Sequence, residues 1–390
     1  MAQNHVHLTR KGPRRILFLS LLIIGIFLVF PFLLWRLSPA SPWSVVVLDK
    51  TVPHPDYREH HSLFWCLNYA KVHGQTGKTR WKTDRDYIGF YPEKFVSSNS
   101  AYASALQPLP ADKVDLLFIA DSYGVYRDDY IYPERYWTHL DYNKKIFGGV
   151  DIQEVEIIEE FVKKGGALVL EFNTFYSPST PEAKERLEAL MGLRWSGWMG
   201  RFFFDLSDEE DVPVWAWRHW EAHHDQEWDF SGPGFLIAHE DTRLFVLEGD
   251  KDLKTHSLQI ILTQPDDPLL KGVSQNVPYH YWYDIVYPDP STEILAQYKF
   301  QLTALGKEKL KKFGVPENFP AVLRSNRSPL RIYFAGDFSD NRIYRGPYFL
   351  SGWPQFRSFL CLFSSSQGQN TFYWRFYVPF LKNLFKGSSP

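Results

Sequence analysis

Polar side chains stand at the ends of four apolar runs, each of which is typical of a buried strand. The runs end in Asp49-Lys50, in Asp121-Ser122-Tyr123, in Glu171 followed by Asn173, and in Asp337 followed by Asp340. Because ligands bind at the carboxyl ends of strands in open parallel sheets, these clusters predict one shared crevice. Asp121 and Glu171 are the candidate catalytic pair, since two carboxyl groups in different environments can act as acid and base.

The other candidates in this crevice are ligand-binding residues, namely Asp49, Lys50, Ser122, Tyr123, Asn173 and Asp337. Asp and Asn also end strands because they form turns and cap helices. A structural role therefore explains each residue taken alone, and only the set as a whole indicates a site.

A further candidate lies at the start of a helix predicted over residues 59–72. Helix N-termini attract anions through their free N–H groups and the helix dipole. Arg58 and His60 could add to such an anion site, so His60 joins the ligand-binding candidates. The alternative is a solvated loop with Glu59 near the helix cap.

Residues 195–230 are dense in tryptophan, histidine and acidic side chains. The cluster comprises Trp215, Trp217, His219, Trp220, His223, His224, Asp225 and Trp228. Histidines with an acid suggest a metal, but this spacing matches no established ligand pattern. We therefore predict no metal and no cofactor, and interpret the stretch as a packing insert or as an aromatic loop near a sugar site.

The elements that would position these residues alternate between strands and helices. Strands are predicted at residues 45–48, 116–120, 167–170 and 331–335, and helices at 59–72, 151–164 and 180–192. This alternation implies βαβ units and a mostly parallel, doubly wound α/β sheet with right-handed crossovers. Further strand patterns make the C-terminal half strand-rich, and residues 73–110 and 195–230 are predicted insertions.

The N-terminal region contains a candidate membrane segment from Ile16 to Trp35, which has no charge. At a rise of 1.5 Å per residue it would span roughly 30 Å, the thickness of a hydrocarbon core. Basic residues crowd the N-terminal side, so the positive-inside rule leaves residues 1–15 in the cytoplasm. We predict a single-pass anchor at 16–36, a linker at 37–44 and an extracytoplasmic domain at 45–390. A signal peptide cleaved near Ala40 is the alternative.

Composition excludes several classes of protein. The 43 Lys and Arg residues balance 45 Asp and Glu, and no basic stripe is present, so nucleic acid is not an expected partner. Cys66 and Cys361 are too few for a disulfide scaffold or a Cys-rich zinc site. The 17% share of aromatic residues fits either a core of large rings or a surface that stacks on sugars.

Three segments resemble the class I glutamine amidotransferase-like superfamily, in the broad sense that includes ThuA-like domains without amidotransferase activity. They are GGVDIQEVEIIEEFVKKGGALVLEFN at 148–173, TQPDDPLLKGV at 263–273 and RIYFAGDFSD at 331–340. The resemblance covers roughly residues 44–345 in patches. It implies that superfamily's α/β fold, and a fold of this kind carries many unrelated activities.

The chain departs from that superfamily where an amidotransferase has its cysteine, at a sharp strand-to-helix turn. Residues 171–174 (EFNT) stand at the comparable position without a thiol. His219-Trp-Glu221 matches the His-x-Glu spelling of the other two catalytic partners. Because glutaminase chemistry needs an activated thiolate, we predict that the chain has no glutaminase activity.

Three functions remain open from the sequence. The first is a ligand-binding or assembly module of the cell envelope, with a carbohydrate or an envelope protein as partner. The second is a hydrolase that acts on a sugar or ester through Asp121 and Glu171. The third is a structural subunit of a membrane complex, which predicts a large exposed apolar patch.

Overall fold

The structure is a computed structural model that describes residues 12–92, 102–126, 144–341, 343, 345–363 and 368–387. The strands are β1 (Ser44–Asp49), β2 (His73–Gly74), β3 (Ile88–Gly89), β4 (Leu116–Asp121), β5 (Val125–Tyr126), β6 (Lys145–Phe147), β7 (Ala167–Leu170), β8 (Leu193–Phe203), β9 (Gly234–His239), β10 (Leu244–Glu248), β11 (Leu258–Leu262), β12 (Asn276–Tyr279), β13 (Tyr283–Pro288), β14 (Thr292–Lys299), β15 (Asn318–Ser325) and β16 (Arg331–Phe334). The helices are α1 (Gly12–Leu37), α2 (Arg58–Ala70), α3 (Ile152–Lys163), α4 (Pro181–Met191), α5 (Val214–His224), α6 (Gly249–Asp252), α7 (Ala304–Phe313), α8 (Trp353–Leu360), α9 (Gln369–Phe372) and α10 (Val378–Leu384).

Four parallel strands form the centre of the largest sheet, in the order β16-β7-β4-β1. Every residue of β4, β7 and β16 is buried, as is every residue of β1 after Ser44. Continuous apolar strands of this kind suit a sheet covered on both faces. The predicted α/β class is confirmed in this form, a mixed α/β fold with a parallel core.

The same sheet continues with antiparallel strands beyond β16, in the half of the chain that was predicted to be strand-rich. Beyond β16 the order is β15, β14, β11 and β12, and each neighbouring pair is antiparallel. At the other edge, the short strands β2 and β3 both pair with β1 in parallel. Hairpin connections in the second half permit antiparallel pairing, whereas parallel pairing needs a crossover.

A second, antiparallel sheet has the order β10-β9-β8-β13. The stretch 195–230, predicted as an insertion, contributes most of β8 and all of α5 to this region. Phe203, Leu206 and Ala216 pack with residues of β9 and β10 in a small core of their own. The half-buried rings of Trp215, Trp217, Trp220, Trp228 and Phe230 cover that core.

Helices α3 and α4 each begin with a side-chain cap. The Asp151 side chain accepts a hydrogen bond from the Glu154 N–H at 3.0 Å, and the Glu154 carboxylate accepts one from the Asp151 N–H, which is a capping box. Thr180 caps α4, whose first residue is Pro181. Each helix thus satisfies free N–H groups at its start.

The C-terminal helix is interrupted by a π-helical turn over Tyr373–Tyr377, between α9 and α10. The rings of Tyr373 and Tyr377 are completely buried there. The Tyr373 hydroxyl donates to the Ser62 carbonyl oxygen in α2 at 3.1 Å. π turns occur mostly as single turns inside α-helices, and this one places the Tyr373 hydroxyl against α2 and the Tyr377 hydroxyl against Glu171, which follows β7.

Helix α1 covers the predicted anchor, and the side chains at 12–14, 21–24, 27 and 28 lie outside the described part. No helix within the described residues is long and apolar enough to cross a membrane.

Candidate functional site

The predicted strand-end residues do meet at one edge of the sheet. Asp49, Asp121, Glu171 and Asp337 follow or end the adjacent strands β1, β4, β7 and β16. We call these four residues, together with Asp340, the strand-end cluster. Their exposed fractions are 0%, 6%, 0%, 8% and 5%, in chain order, so the cluster is a buried group and not an open crevice.

His60 is part of the packing beneath this cluster. Its Nδ1 lies 2.7 Å from Asp49 Oδ2 and its Nε2 lies 3.0 Å from the Thr83 carbonyl oxygen, and the ring is fully buried. Both ring nitrogens thus face oxygen atoms of the protein itself. With both nitrogens occupied, His60 is not presented to an external anion.

Asp121 is held in a turn by one of its two carboxylate oxygens. Oδ1 accepts hydrogen bonds from the Thr51 hydroxyl and the Tyr123 N–H, both at 2.7 Å. Burial, followed by the nearby Asp49 carboxylate, raises the pKa of Asp121 to about 8 against these hydrogen bonds. The buried surroundings of Asp121 therefore favour its protonated form.

Glu171 is enclosed by the C-terminal helix. Oε1 accepts from the Tyr377 hydroxyl and Oε2 from the Ser339 N–H, each at 2.9 Å. The Ser339 and Tyr377 hydroxyls also contact each other at 2.8 Å. Burial raises the pKa of Glu171 to about 8, although both hydrogen bonds favour the anion. Both oxygens of this candidate catalytic residue are occupied within the protein.

Asp337 and Asp340 complete the cluster beside Arg58. Asp340 Oδ1 lies 2.7 Å from Arg58 Nε, and Oδ2 accepts from the Tyr281 hydroxyl at 3.0 Å. Burial, followed by the charge of Asp340, raises the pKa of Asp337 well above its ordinary value. Glu59 has a raised pKa for the same two reasons, in the same order. Arg58, predicted to bind an anion, is thus paired with a carboxylate of the chain itself.

The remaining predicted ligand-binding residues have different surroundings. Lys50 points to α3, where its ammonium contacts Glu154 Oε2 at 2.5 Å and the Gly149 carbonyl oxygen at 2.6 Å. Ser122 is fully buried and donates to the Asn173 carbonyl oxygen at 3.4 Å. Tyr123 and Asn173 are half-buried, and Asn173 has a left-handed backbone (φ 66°) at the turn after β7. Ser122 and Asn173 therefore adjoin the cluster, whereas Lys50 is engaged elsewhere.

The raised pKa values predict how stability depends on pH. Burial raises the pKa of Asp284 to about 7, beside the values of about 8 for Asp121 and Glu171. A carboxyl group whose pKa is raised on folding stabilises the folded state fully below about pH 4, and that contribution is lost as pH rises through the folded pKa. We therefore expect the melting temperature of the full chain to fall between about pH 5 and pH 8.

The variant Glu171→Gln should reduce this fall, because an amide has no proton to lose. Glu160→Gln is the matched control, since Glu160 is exposed on α3 and its pKa is lowered by Lys164. Thermal unfolding of both variants over the same pH range measures the effect. A melting temperature that rises with pH, or an equal fall in Glu171→Gln and wild type, would contradict the assignment.

In the residues that the structure describes, no group of three or more His, Cys, Asp or Glu side chains is arranged to hold a metal ion. The histidines that suggested one are separated by their contacts. His223 Nε2 lies 2.8 Å from the Thr242 hydroxyl, and His224 stacks on Trp220 with a ring separation of 3.7 Å. Both histidines therefore have partners within the protein.

A groove of about 400 Å³ lies apart from the strand-end cluster, between α5, β10 and α7. We call it the aromatic groove. It is lined by Trp220, His224, Gln226, Glu227, Asp229, Phe230, Phe245, Val246, Glu248, Lys251, Lys309, Lys312 and Phe313. Its volume is within the range of small-molecule sites, and its lining combines aromatic rings with a larger number of polar and charged side chains.

Packed rings fix the walls of the aromatic groove. Trp220 meets Phe230 edge to face at 4.7 Å and is covered on one side by His224. On the other wall, Phe245 and Phe313 stack at 4.3 Å with an angle of 7° between their planes. Such ring pairs are favourable and specific in geometry, so the groove is held in shape without a ligand.

Charged side chains line the rim of the aromatic groove. Lys309 contacts Asp252 at 2.5 Å, and Lys251 contacts Glu248 at 2.7 Å. Lys312, Glu227 and Asp229 are exposed and have no ion pair within the described part of the chain. A ligand would therefore meet an aromatic interior and a rim that offers both hydrogen-bond donors and acceptors.

The sequence indicated only one wall of this groove. Trp220 and His224 were singled out, whereas Phe245, Lys309, Lys312 and Phe313 come from β10 and α7. The sequence feature that could have indicated the second wall is the apolar Phe313 at the end of a lysine-rich helix. Nothing in the local pattern shows that this helix faces residues 220–230.

Comparisons with known proteins place the chain among solved structures only at low similarity. No protein-family model matches the sequence, and no curated protein matches it. The chain is similar to a protein described as ThuA-like from Parabacteroides merdae, at 11% identity, with 75% of this chain and 79% of that chain covered and a TM-score of 0.36. A second protein described as ThuA-like, from Bacteroides uniformis, has 10% identity, coverage of 77% and 84%, and a TM-score of 0.31.

A β-galactosidase from Bacillus circulans sp. alkalophilus is also similar, at 13% identity and a TM-score of 0.35, over 77% of this chain. The aligned region spans only 30% of that enzyme. At these scores the overlaps assign no activity. The architecture therefore rests on the sheet order, which defines a mixed α/β protein with a parallel core and a second antiparallel sheet.

Proposed function

We propose that the chain is a membrane-anchored, extracytoplasmic binding module that holds a carbohydrate in the aromatic groove. The observation that carries this proposal is the groove itself, which combines packed aromatic walls with a mixed polar rim in about 400 Å³. Pyranose rings present apolar C–H faces and a girdle of hydroxyl groups. Aromatic rings bind the faces by dispersion contacts, and rim carboxylates and ammonium groups bind the hydroxyls.

The geometry favours binding over hydrolysis by Asp121 and Glu171. Glu171 is completely buried, and both of its oxygens accept hydrogen bonds from the protein. A general acid or base must come within hydrogen-bond reach of the proton that it transfers. Hydrolysis would therefore require the C-terminal helix to withdraw Tyr377 from Glu171.

The thiols also argue against glutaminase chemistry. Cys66 lies inside α2 and is buried, and burial raises the pKa of its thiol to about 12. Cys361 ends α8, and burial raises the pKa of this thiol as well. A nucleophilic cysteine needs the opposite shift, towards the thiolate. The absence of glutaminase activity thus remains our prediction, with a physical reason attached to each thiol.

The membrane anchor is the second part of the proposal. Its support is the uncharged stretch from Ile16 to Trp35, together with the exposure of apolar side chains such as Leu17, Phe18 and Val29 along α1. Exposed apolar side chains in such a number are costly in water and suit a lipid environment.

A binding screen on the full chain in detergent micelles tests the groove. We expect a subset of oligosaccharides to raise the melting temperature, because a ligand that binds only the folded state stabilises it by mass action. Lys312→Ala should weaken binding several-fold, since it removes a hydrogen-bond donor from the rim. Lys311→Ala is the matched control, because Lys311 is a neighbouring exposed lysine of α7 that does not line the groove.

Two outcomes would refute the carbohydrate assignment. The first is that no oligosaccharide, neutral or charged, shifts the melting temperature at millimolar concentration. The second is that a sugar binds but Lys311→Ala and Lys312→Ala weaken it equally. The second outcome would place the sugar elsewhere on the chain.

A further inference from the structure

Six large apolar side chains are exposed along a short C-terminal segment. They are Phe349, Phe356, Phe359, Leu360, Leu362 and Phe363, with exposed fractions between 40% and 73%. We call residues 348–363 the foot. Scattered exposed apolar residues are normal, but a contiguous group of this size marks an interaction surface.

Helix α8, within the foot, is amphipathic. Phe356, Phe359 and Leu360 are spaced i, i+3 and i+4, so they share one helical stripe, and the ring of Phe363, in the turn after the helix, meets that of Phe359 at 5.0 Å. Pro354 is buried and Trp353 is half-buried, and Trp353 Nε1 donates to the Arg345 carbonyl oxygen at 2.7 Å. The domain therefore holds one face of α8 and presents the phenylalanine face outwards.

The foot contacts the C-terminal end of α1. The Ser351 N–H donates to the Pro31 carbonyl oxygen at 3.0 Å. The rings of Phe32 and Phe349 meet at 6.1 Å, and those of Trp35 and Tyr348 at 5.9 Å. The exposed apolar surface of α1 is thereby continuous with that of the foot. Trp and Tyr side chains at this level are typical of a membrane–water boundary.

The C-terminal segment that contains the foot carries charge of a single sign, and of its basic residues Arg345 is buried. Residues 341–390 contain no Asp or Glu, and their basic residues are Arg342, Arg345, Arg357, Arg375, Lys382 and Lys386. The whole chain has a net charge of −2, so this segment is segregated from the acidic remainder. Basic side chains beside an apolar helical face suit an anionic lipid surface.

We infer that the foot lies in the headgroup–acyl boundary of the bilayer leaflet that α1 leaves. The inference rests on the proposed anchor. It adds the foot as a second point of contact between the chain and the membrane. Because α1 is joined to the foot by a hydrogen bond and two ring contacts, the domain would sit against the membrane in a fixed orientation.

The chain contains a natural reporter for this contact. Cys361 lies in the foot next to Leu362, whereas Cys66 is buried inside α2. The full chain, labelled at Cys361 with an environment-sensitive fluorophore, would be reconstituted in phosphatidylcholine–phosphatidylglycerol vesicles. A nitroxide carried on a lipid headgroup and aqueous iodide would then be compared as quenchers. Glu209→Cys in a Cys361→Ser background places the same label on an exposed loop residue as the water-facing control.

We expect the lipid nitroxide to quench the label at Cys361 and not the label at residue 209. Aqueous iodide should quench the label at residue 209 and not the label at Cys361. Phe356→Ser with Phe359→Ser should remove the lipid quenching at Cys361. Leu305→Ser, at an exposed leucine of α7, is the control and should not.

The failures are distinguishable from one another. If the chain remains in vesicles after alkaline carbonate washing but iodide quenches the label at Cys361, the foot does not contact the membrane, and the proposal that α1 is an anchor is retained. If the washed vesicles lose the chain, the anchor fails and the foot with it. If neither quencher reaches Cys361, another protein surface or a second copy covers the foot, and the lipid assignment is overturned.

Discussion

Replacing Lys50 with methionine is expected to destabilise the protein by about 3–5 kcal/mol, the cost of leaving one charge of a buried pair without its partner. The Lys50 ammonium lies 2.5 Å from Glu154, and the two side chains are only 4% and 9% exposed. Methionine has a similar length and fills the space, so the cost arises from the uncompensated Glu154 carboxylate and not from a cavity. Thermal or urea unfolding of the full chain in detergent measures it.

Two further variants separate this charge effect from packing. Adding Glu154→Gln to Lys50→Met should recover most of the loss, because the amide is neutral and its oxygen still accepts the capping hydrogen bond from the Asp151 N–H. Lys163→Met removes an exposed lysine that contacts Glu160 at 3.8 Å, and should change stability by less than about 0.5 kcal/mol. If Lys50→Met were no worse than Lys163→Met, the buried pair would contribute nothing.

The pair Lys50–Glu154 also shows what could not be predicted from the sequence, namely the partner of a polar side chain at the end of a strand. Lys50 was predicted to bind a ligand because it follows an apolar strand and belongs to a polar cluster. Its partner, Glu154, lies 104 residues away in helix α3. Local patterns give the direction of neither side chain, so a buried structural pair and a ligand site have the same appearance in sequence.

The parallel core was predictable because each strand is encoded locally. Residues 45–48, 116–120 and 167–170 are short apolar runs bounded by turn residues, and they correspond to β1, β4 and β7. The antiparallel continuation from β15 to β12 was not predictable in its order. Antiparallel partners are selected by register and by turns between distant segments, and no single strand contains that information.

The sequence also did not show whether a ligand can reach the strand-end cluster. Glu171 and Asp337 meet as the topology requires, but Tyr377, 206 residues from Glu171, seals them. The π-helical turn over Tyr373–Tyr377 has no signature in the sequence that we could name. Burial of a predicted site by a helix that is distant in sequence is a tertiary effect, which local patterns do not contain. For this reason we propose the aromatic groove, and not the strand-end cluster, as the binding site.

Replacing Trp220 with alanine should reduce the affinity for the groove ligand by roughly thirtyfold, since truncating a central tryptophan anchor costs about 2 kcal/mol or more. Trp220 lines the groove between His224 and Phe230, and no other described tryptophan lines it. The affinity is measured by intrinsic fluorescence or calorimetry with the oligosaccharide that the screen identifies.

The same variant could also loosen the insert, because Trp220 packs over the small core beneath α5. Trp220→Phe distinguishes the two effects, since it keeps an aromatic face in the groove while removing part of the packing. If Trp220 is part of the binding surface, affinity should decrease in the order wild type, Trp220→Phe, Trp220→Ala, and differences in melting temperature should not explain these differences in affinity.

If both variants bind the sugar as wild type does, Trp220 is only a packing residue and the groove is not the site. If affinity and melting temperature fall together in all variants, the loss reflects unfolding of the insert. Lys312→Ala, an exposed position on the opposite wall, then decides whether the groove itself holds the ligand.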